Sequence, residues 1–442
     1  MSVRFVNIDR QTPMLLPMDL REWVREDDLA HFVLEAVEGL DVSLAAINER
    51  GSGSEQYPPS MMMALLLYCY AQGIFSSRRI EAATYCHVSV RYLAGNTHPD
   101  HDTIASFRRA NRELVRATFV RVLELGREVG LLRVGAVVVD GTKLWANASK
   151  RATLSQSELE EQLRLLEGEV DELLKRAEVA DAQEKDDGGT LPRELADRAQ
   201  RRAKLEAAKL ALKEKAEQRA QAEAKERERA QREGCERPGP CSPSVRPKDT
   251  INSTDKDSAL QPTAREGFIQ GYNAQTAVSL ESGLIVAAHV VRDTGDRRQL
   301  VPTVAAIPPE LGSLPTAIIA DTGYDNAAQI LEIERTTGAC VYCALQPPNR
   351  RGGRRGNTRK SQRRSAPERL RQRMKARLQT EEGRRLYSRR KSTVEPVFGM
   401  IKSVLGFRRF GLRGLRKVNL EWQLLGAAFN CRRLAARHRQ RR

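Results

Sequence analysis

Apolar residues along this chain recur at two different periods, and the period changes after Phe268. Between residues 58 and 132, Met61, Ala64, Leu65 and Tyr68, and later Leu114, Phe119, Val122, Leu123 and Val129, return every three or four residues. That spacing predicts helices with one apolar face. Asn96-Thr-His-Pro-Asp100 is a turn cluster, after which Thr103 would cap a short helix over 104–111, with Phe107 inward and Arg108, Arg109 and Asn111 outward. Four valines then fall within residues 134–139 and lead to Asp140, which predicts a buried strand ending on a carboxylate. Residues 267–280 alternate, and Glu281-Ser-Gly283 would turn them back into 284–291 as an antiparallel pair. A further apolar strand, 316–321, again ends on an aspartate, Asp321. A helix over 325–336, a strand over 340–345 and helices over 367–378, 394–405 and 420–434 complete the pattern.

Residues 155–233 interrupt it. They hold 21 acidic and 17 basic residues and no aromatic residue, with Ala, Leu and Gln filling most of the rest. That composition suits a helical hairpin, broken at 186–192, with Thr190 as cap of its second helix. Leu159, Leu163, Leu166, Val170 and Leu173 make one or two heptads, too few for a coiled coil. The segment is expected to stand off the fold, and the proline-rich stretch 234–247 to be its linker.

Composition and charge narrow the class. The 442 residues suffice for two or three domains, and 40% apolar with 30% charged residues describes a soluble globular chain. No apolar run is long enough for a membrane span. Asp9, Arg10 and Asp19 argue against a signal peptide, and seven scattered cysteines against a secreted disulfide scaffold. The expectation is a cytoplasmic protein. The net charge of +17 is uneven: the last 93 residues carry +25 and the first 349 carry −8. A basic tail on an acidic remainder fits a polyanion binder, nucleic acid first, although a solubilising tail gives the same balance. The basic stretch 350–364 reads as a loop. The turn and helix around Arg108 and Arg109 have the pattern of the second half of a helix-turn-helix, as does any basic helical hairpin.

Two strands ending on Asp140 and Asp321 would bring both carboxylates to one sheet edge if the strands are neighbours. Glu395, on a later helix, would share a face with Lys402 seven residues on. Three clustered carboxylates repel one another, and a divalent cation relieves that repulsion; hard oxygen donors suit Mg²⁺ or Mn²⁺. Two such ions about 4 Å apart serve hydrolysis and transfer at a phosphodiester. Cys340 and Cys343 have metal-ligand spacing but sit in an apolar strand, so two buried thiols are expected rather than zinc. His289 reads as a sheet residue, His98 and His101 as turn caps, and Trp145 and Trp422 as core.

The ordered motifs Val139-Asp-Gly-Thr-Lys-Leu-Trp-Ala-Asn-Ala-Ser149, Gly271-Tyr-Asn-Ala-Gln275 and Ala320-Asp-Thr-Gly-Tyr-Asp325, followed by the segment from Tyr387 to Lys402, resemble a DDE-type bacterial insertion-sequence transposase with its Tyr-Arg-Glu-Lys signature. The resemblance covers nearly the whole chain. It implies an RNase H-like catalytic domain with Asp140, Asp321 and Glu395 as metal-binding triad. Tyr387 and Arg390 keep the family's first spacing, and Glu395 and Lys402 its last; Lys391 satisfies the intermediate spacing that Arg390 misses by one residue.

The expected fold is α/β: an RNase H-like catalytic domain (a mixed sheet flanked by helices) over 131–436, an all-α N-terminal DNA-binding domain over 1–130, and a long helical-hairpin insertion with its linker over 151–250. The expected activity is metal-dependent DNA cleavage at element ends and strand transfer into target DNA, with two Mg²⁺ or Mn²⁺ ions held by Asp140, Asp321 and Glu395. Tyr387, Arg390, Lys391, Lys402, Arg108 and Arg109 would contact DNA. The partners would be double-stranded terminal inverted repeats and target DNA, held by a homodimer in the cytoplasm at the nucleoid. A metal-dependent nuclease without strand transfer, and a catalytically retired DNA-binding protein, are the alternatives.

Overall fold

The structure is a computed structural model and describes residues 19–47, 56–182, 190–235, 242–247, 249–263, 266–345 and 366–441. The basic loop expected over 350–364, the hairpin tip around 183–189 and part of the expected linker lie outside the described residues.

The chain begins with α1 (Leu29–Glu38), α2 (Pro59–Ala71), α3 (Ser77–Cys86), α4 (Val88–Leu93), α5 (His101–Ala110) and α6 (Arg112–Glu128). Helix α2 is buried on every side from Met62 to Ala71. A helix apolar all round belongs inside a core rather than on a surface. Asp100, not Thr103, caps α5: its carboxylate accepts the N–H groups of Asp102 and Thr103, each at 2.9 Å. The carboxylate also takes the Thr103 hydroxyl, which leaves that side chain pointing back at the cap instead of serving as one.

Next come β1 (Ala136–Trp145), β2 (Thr153–Ser155), α7 (Gln156–Ala182), α8 (Thr190–Arg232), β3 (Thr250–Asn252), β4 (Ala259–Thr263), β5 (Gly267–Ser279) and β6 (Ile285–Val291). The chain closes with α9 (Leu300–Ala305), β7 (Ala317–Ala320), α10 (Ala327–Thr337), β8 (Cys340–Cys343), α11 (Ala366–Gln379), α12 (Glu381–Gly399) and α13 (Leu415–Arg441). The main sheet is mixed, in the order β4-β5-β1-β7-β8, with β6 also paired to β5. Strands β1, β7 and β8 run parallel, whereas β5 lies antiparallel to β1, β4 and β6. Strand β1 does not end at Asp140. Gly141 to Trp145 continue it by pairing with Gln275 to Gly271 of β5, because the long antiparallel partner outlasts the short parallel one.

Helix α13 joins the parts, packing against α6, α2 and β6, so the N-terminal helices and the sheet share one hydrophobic core. Within it Arg108 is buried. Its guanidinium donates to the Tyr70 hydroxyl (2.9 Å) and the Phe75 carbonyl (2.8 Å), and Tyr70 donates to the buried Glu421 of α13 at 3.3 Å. The outward orientation expected of Arg108 and Asn111 is therefore corrected: both are buried, while Arg109 is exposed. A buried guanidinium must be satisfied internally, and this one is spent on holding three helices together.

The hairpin does not stand off the fold. Leu159 and Leu166 of α7 and Leu205, Ala208 and Leu212 of α8 form a small core that reaches Ile251 of β3. At 1.5 Å per residue, α8 is about 65 Å long. Its far end is fastened to α10: Glu226 accepts from Asn326 (2.6 Å) and Gln329 (3.3 Å), and Arg335 pairs with Glu233 at 3.0 Å.

Candidate functional site at the sheet edge

The parallel register aligns Val139 of β1 with Ala320 of β7, the last pair of that ladder. Asp140 and Asp321 follow immediately, so both carboxylates lie where the two strands part. Asp140 Oδ1 accepts the Gly141 N–H at 2.8 Å, and Asp321 Oδ1 accepts the Gly323 N–H at 2.8 Å, capping the turn that begins α10's approach. Arg390 of α12 brings its guanidinium to 3.7 Å from Asp140 Oδ2, with both side chains largely buried. Burial pushes the Asp140 carboxyl up to about 6; the neighbouring Asp321 and Asp296 push the same way, and the Gly141 N–H and Arg390 oppose them.

Behind this pair lies a polar cluster that sequence reading left without a role. Asp296 Oδ1 accepts from Asn273 Nδ2 and Gln275 Nε2, each at 2.7 Å, and lies 3.6 Å from Lys143 Nζ. Gln275 Oε1 in turn accepts the Tyr324 hydroxyl at 2.5 Å, and its backbone carbonyl accepts the Trp422 indole N–H at 3.1 Å. The Gly271–Gln275 and Ala320–Asp325 motifs thus meet in one hydrogen-bonded unit. Two glycines let the backbone pack close against it. A Cβ on Gly141 would collide with the Gln275 amide and lie 2.9 Å from both Asn273 Oδ1 and Asp296 Oδ1. A Cβ on Gly323 would lie 2.9 Å from Asp321 Oδ1 and 3.7 Å from Asp296 Oδ2. Asp296 was missed because it follows β6 after a short turn instead of ending a strand. The rule that singled out Asp140 and Asp321, a carboxylate just past an apolar strand, applies to it with that offset.

Helix α12 begins at Glu381, well before the expected 394–405 segment, and carries Pro396 in its interior. A five-residue π turn, Met400–Val404, follows it. Proline removes one backbone donor, and π turns often mark functional positions. The seven residues from Glu395 to Lys402 therefore do not span one unbroken α-helix. Glu395 is exposed on α12. Lys402 is half-buried and donates to the Lys143 carbonyl at 3.1 Å; burial, then Arg408, lowers its pKa. With Lys143, Trp145, Glu266 and Arg408 it lines a cleft of about 380 Å³. Among the three consecutive cations, Arg389 donates to the Leu280 carbonyl at 3.0 Å, Arg390 reaches Asp140, and Lys391 is exposed. Tyr387 is half-buried, and burial raises its pKa.

Among the described residues, no three His, Cys, Asp or Glu side chains are gathered to hold a metal ion. The Asp140–Asp321 pair supplies the hard oxygen donors that Mg²⁺ or Mn²⁺ takes. By the chemistry of its donors the pair fits such an ion; Glu395 is not drawn into that group. Cys340, the first residue of β8, is exposed rather than buried, while Cys343 is buried with its thiol donating to the Asp321 carbonyl at 3.1 Å. His101 pairs with Glu81 at 2.8 Å, and His98 stacks on Tyr85.

Two family models match the chain. Residues 314–435 match the one described as a transposase DDE domain, and residues 18–110 match a transposase domain (DUF772). The first includes Asp321, Tyr387, Arg390, Glu395 and Lys402; the second includes α5 with Arg108 and Arg109; Asp140 lies between them. Neither spans half of the chain, and together they support a transposase of the DDE type. No curated protein and no solved structure matches it. No helix among the described residues is long and apolar enough to cross a membrane.

Proposed function

We propose that this chain is a DNA transposase that cuts at element ends and transfers the freed strand into target DNA, using an RNase H-like sheet. The observation that carries this reading is the meeting of Asp140 and Asp321 at the end of the β1–β7 ladder, with Arg390 beside Asp140. Asp140 and Asp321 would hold divalent magnesium or manganese, with Glu395 joining them when DNA is bound. That ion would supply activation of a water or a 3′-hydroxyl and charge stabilisation at the phosphodiester. The protein's own part is mostly positioning, as phosphoryl transfer asks for little covalent chemistry. The Asn273–Gln275–Asp296 cluster fixes the floor under Asp140. Lys143 keeps that floor from accumulating uncompensated negative charge. Arg390 balances Asp140 in the free protein and turns to a phosphate oxygen in the complex, while Lys391, Lys402, Tyr387 and Arg109 contact the DNA backbone. Arg108 is left out of that set. The two element ends would be held by a homodimer acting at the nucleoid.

The test is Mg²⁺- or Mn²⁺-dependent cleavage of DNA carrying the gene's flanking sequences, by the intact protein and by Asp140→Asn. Cuts at both flanks by the intact protein alone support the reading. Joining of a labelled 3′-hydroxyl end to a target plasmid separates a transposase from a nuclease. Binding by both proteins with no cleavage by either overturns the catalytic reading.

A further inference from the structure

A cavity of about 600 Å³ opens where the helical hairpin meets the body of the protein. Its lining includes Arg151, Arg201, Lys204 and Arg413 and, among the described residues, no acidic one. The absence of acid is local, since the hairpin as a whole holds more acidic than basic residues. Several other cations on α8 are paired, among them Arg198 with Glu169 (3.5 Å), Arg202 with Glu167 (3.6 Å) and Lys209 with Glu160 (3.2 Å), whereas Lys213 and Lys225, away from the cavity, have no ion-pair partner among the described residues. Arg201 and Lys204, on the cavity side, have no ion-pair partner among the described residues. Neither has Arg151. Arg413 donates to the Asn147 carbonyl at 2.8 Å and has no ion-pair partner among the described residues.

The cavity is also built on fixed elements. Leu154 and Leu205 lie in its wall and belong to the small core of the hairpin root. Ser253, following β3, completes that side. Long flexible cations are thus presented from a wall packed into the small core of the hairpin root.

Its position relative to the carboxylates gives it meaning. Strand β1 runs on from Asp140 to Trp145, five residues or roughly 17 Å. Trp145 bridges to Arg409, whose guanidinium lies 5.5 Å from the indole ring centre. The Asn147 carbonyl then accepts a hydrogen bond from Arg413, which lines the cavity. Along a duplex, 17 Å is about five base pairs of rise.

We propose that this cavity is a binding site for the phosphate backbone of duplex DNA, and that the hairpin insertion serves as one wall of the DNA channel. The inference rests on the transposase reading for the identity of the substrate, but its test does not require cleavage. Arg151, Arg201, Lys204 and Arg413 are all exposed, which suits a backbone sliding past rather than a small anion enclosed by buried donors. Such contacts release counterions, so they weaken steeply with salt and carry no sequence preference.

The experiment measures binding of a labelled 30-base-pair duplex in EDTA across a salt series, with the full chain. The variants are Arg201→Gln/Lys204→Gln and, as a control on the same hairpin, Lys213→Gln/Lys225→Gln; all four residues are exposed. The cavity variant should lower the slope of log affinity against log salt by about two and weaken binding roughly tenfold at low salt. The control should change the slope by much less. Equal slopes for cavity variant and wild type overturn the proposal, as does an equal loss in both variants, which would mean general charge alone. Displacement of the duplex by millimolar inorganic phosphate at constant ionic strength would also overturn it, assigning the cavity to a small anion. Wild-type binding without cleavage would sink the transposase reading and leave this one to stand or fall on the slopes.

Discussion

The sheet edge and the hairpin root gather charge in opposite ways. At the edge, Asp140 is largely buried, sits beside a second carboxylate and pairs with Arg390, close to the hydrogen-bonded Asp296 cluster. At the root, Arg151, Arg201, Lys204 and Arg413 are exposed and nearly without partners. Burial holds a charged group still but makes its ionisation costly, which is why the Asp140 carboxyl is raised to about 6. Exposure costs little and fixes little. Chemistry at a phosphodiester needs the first arrangement, where groups are preorganised around a reacting atom. Holding a polyanion needs only the second. If this division is right, substitutions at the two places should fail in different assays.

The largest effect should come from the carboxylates. Asp321→Asn or Asp140→Asn should reduce metal-dependent cleavage by about a thousandfold or more while leaving duplex binding in EDTA intact. Cleavage kinetics and a binding isotherm on the same preparation would check it. Cleavage that survives Asp321→Asn would remove the sheet edge from the chemistry altogether.

Next in size is Asp296→Ala. The change removes the acceptor that Asn273 and Gln275 share and the ion-pair partner of Lys143, beside the largely buried Asp140. Loss of such supporting contacts around a metal site typically reduces metal affinity or activity ten- to a hundredfold, so a decrease of roughly that size is expected. A rightward shift of the Mg²⁺ dependence, with folding unchanged by circular dichroism, would identify Asp296 as a positioning residue. Unchanged kinetics would reduce the cluster to core packing.

How far the edge could be read from the chain follows from the same contrast. Strands β1, β5, β6, β7 and β8 were legible because buried strands are written in continuous or alternating apolar residues. Asp140 and Asp321 were legible because a carboxylate right after such a run is conspicuous. Arg108 was misread because the helical period marks which face is buried, but not that a guanidinium on it will find Tyr70 and Phe75. The docking of α8 on α10 was invisible for a related reason. Glu226, Asn326 and Gln329 are polar, and nothing in their local pattern announces a buried contact across 100 residues of chain. The π turn after Pro396 likewise leaves no periodic trace, which is why Glu395 and Lys402 were expected on one face.

A smaller effect should appear with pH. Burial holds His289, on β6 opposite Gln275, down to about 4 from an ordinary 6.5. Since the folded value lies below the unfolded one, the neutral ring's contribution is complete above pH 6.5 and is lost as pH falls towards 4. The span corresponds to about 3 kcal/mol. Urea midpoints from pH 7 to 4 should fall more steeply for the wild type than for His289→Gln. Parallel curves would mean that the acid sensitivity of the sheet arises elsewhere.

The smallest expected change is the one that separates the two regions most sharply. Arg201→Gln/Lys204→Gln, which should flatten the salt dependence of DNA binding, removes two exposed side chains with no ion-pair partner among the described residues. Surface changes of that kind stay within about 0.5 kcal/mol, so the unfolding midpoint should hardly move. The hairpin's own stability lies in Leu159, Leu166, Leu205 and Leu212 and in the Glu226 contacts, none of which the variant touches. A clear drop in the midpoint would mean that Arg201 and Lys204 hold the root together, and that any accompanying loss of DNA affinity is a consequence of loosening rather than of lost charge. An unchanged midpoint with a flattened salt dependence would leave lost phosphate contacts as the cause.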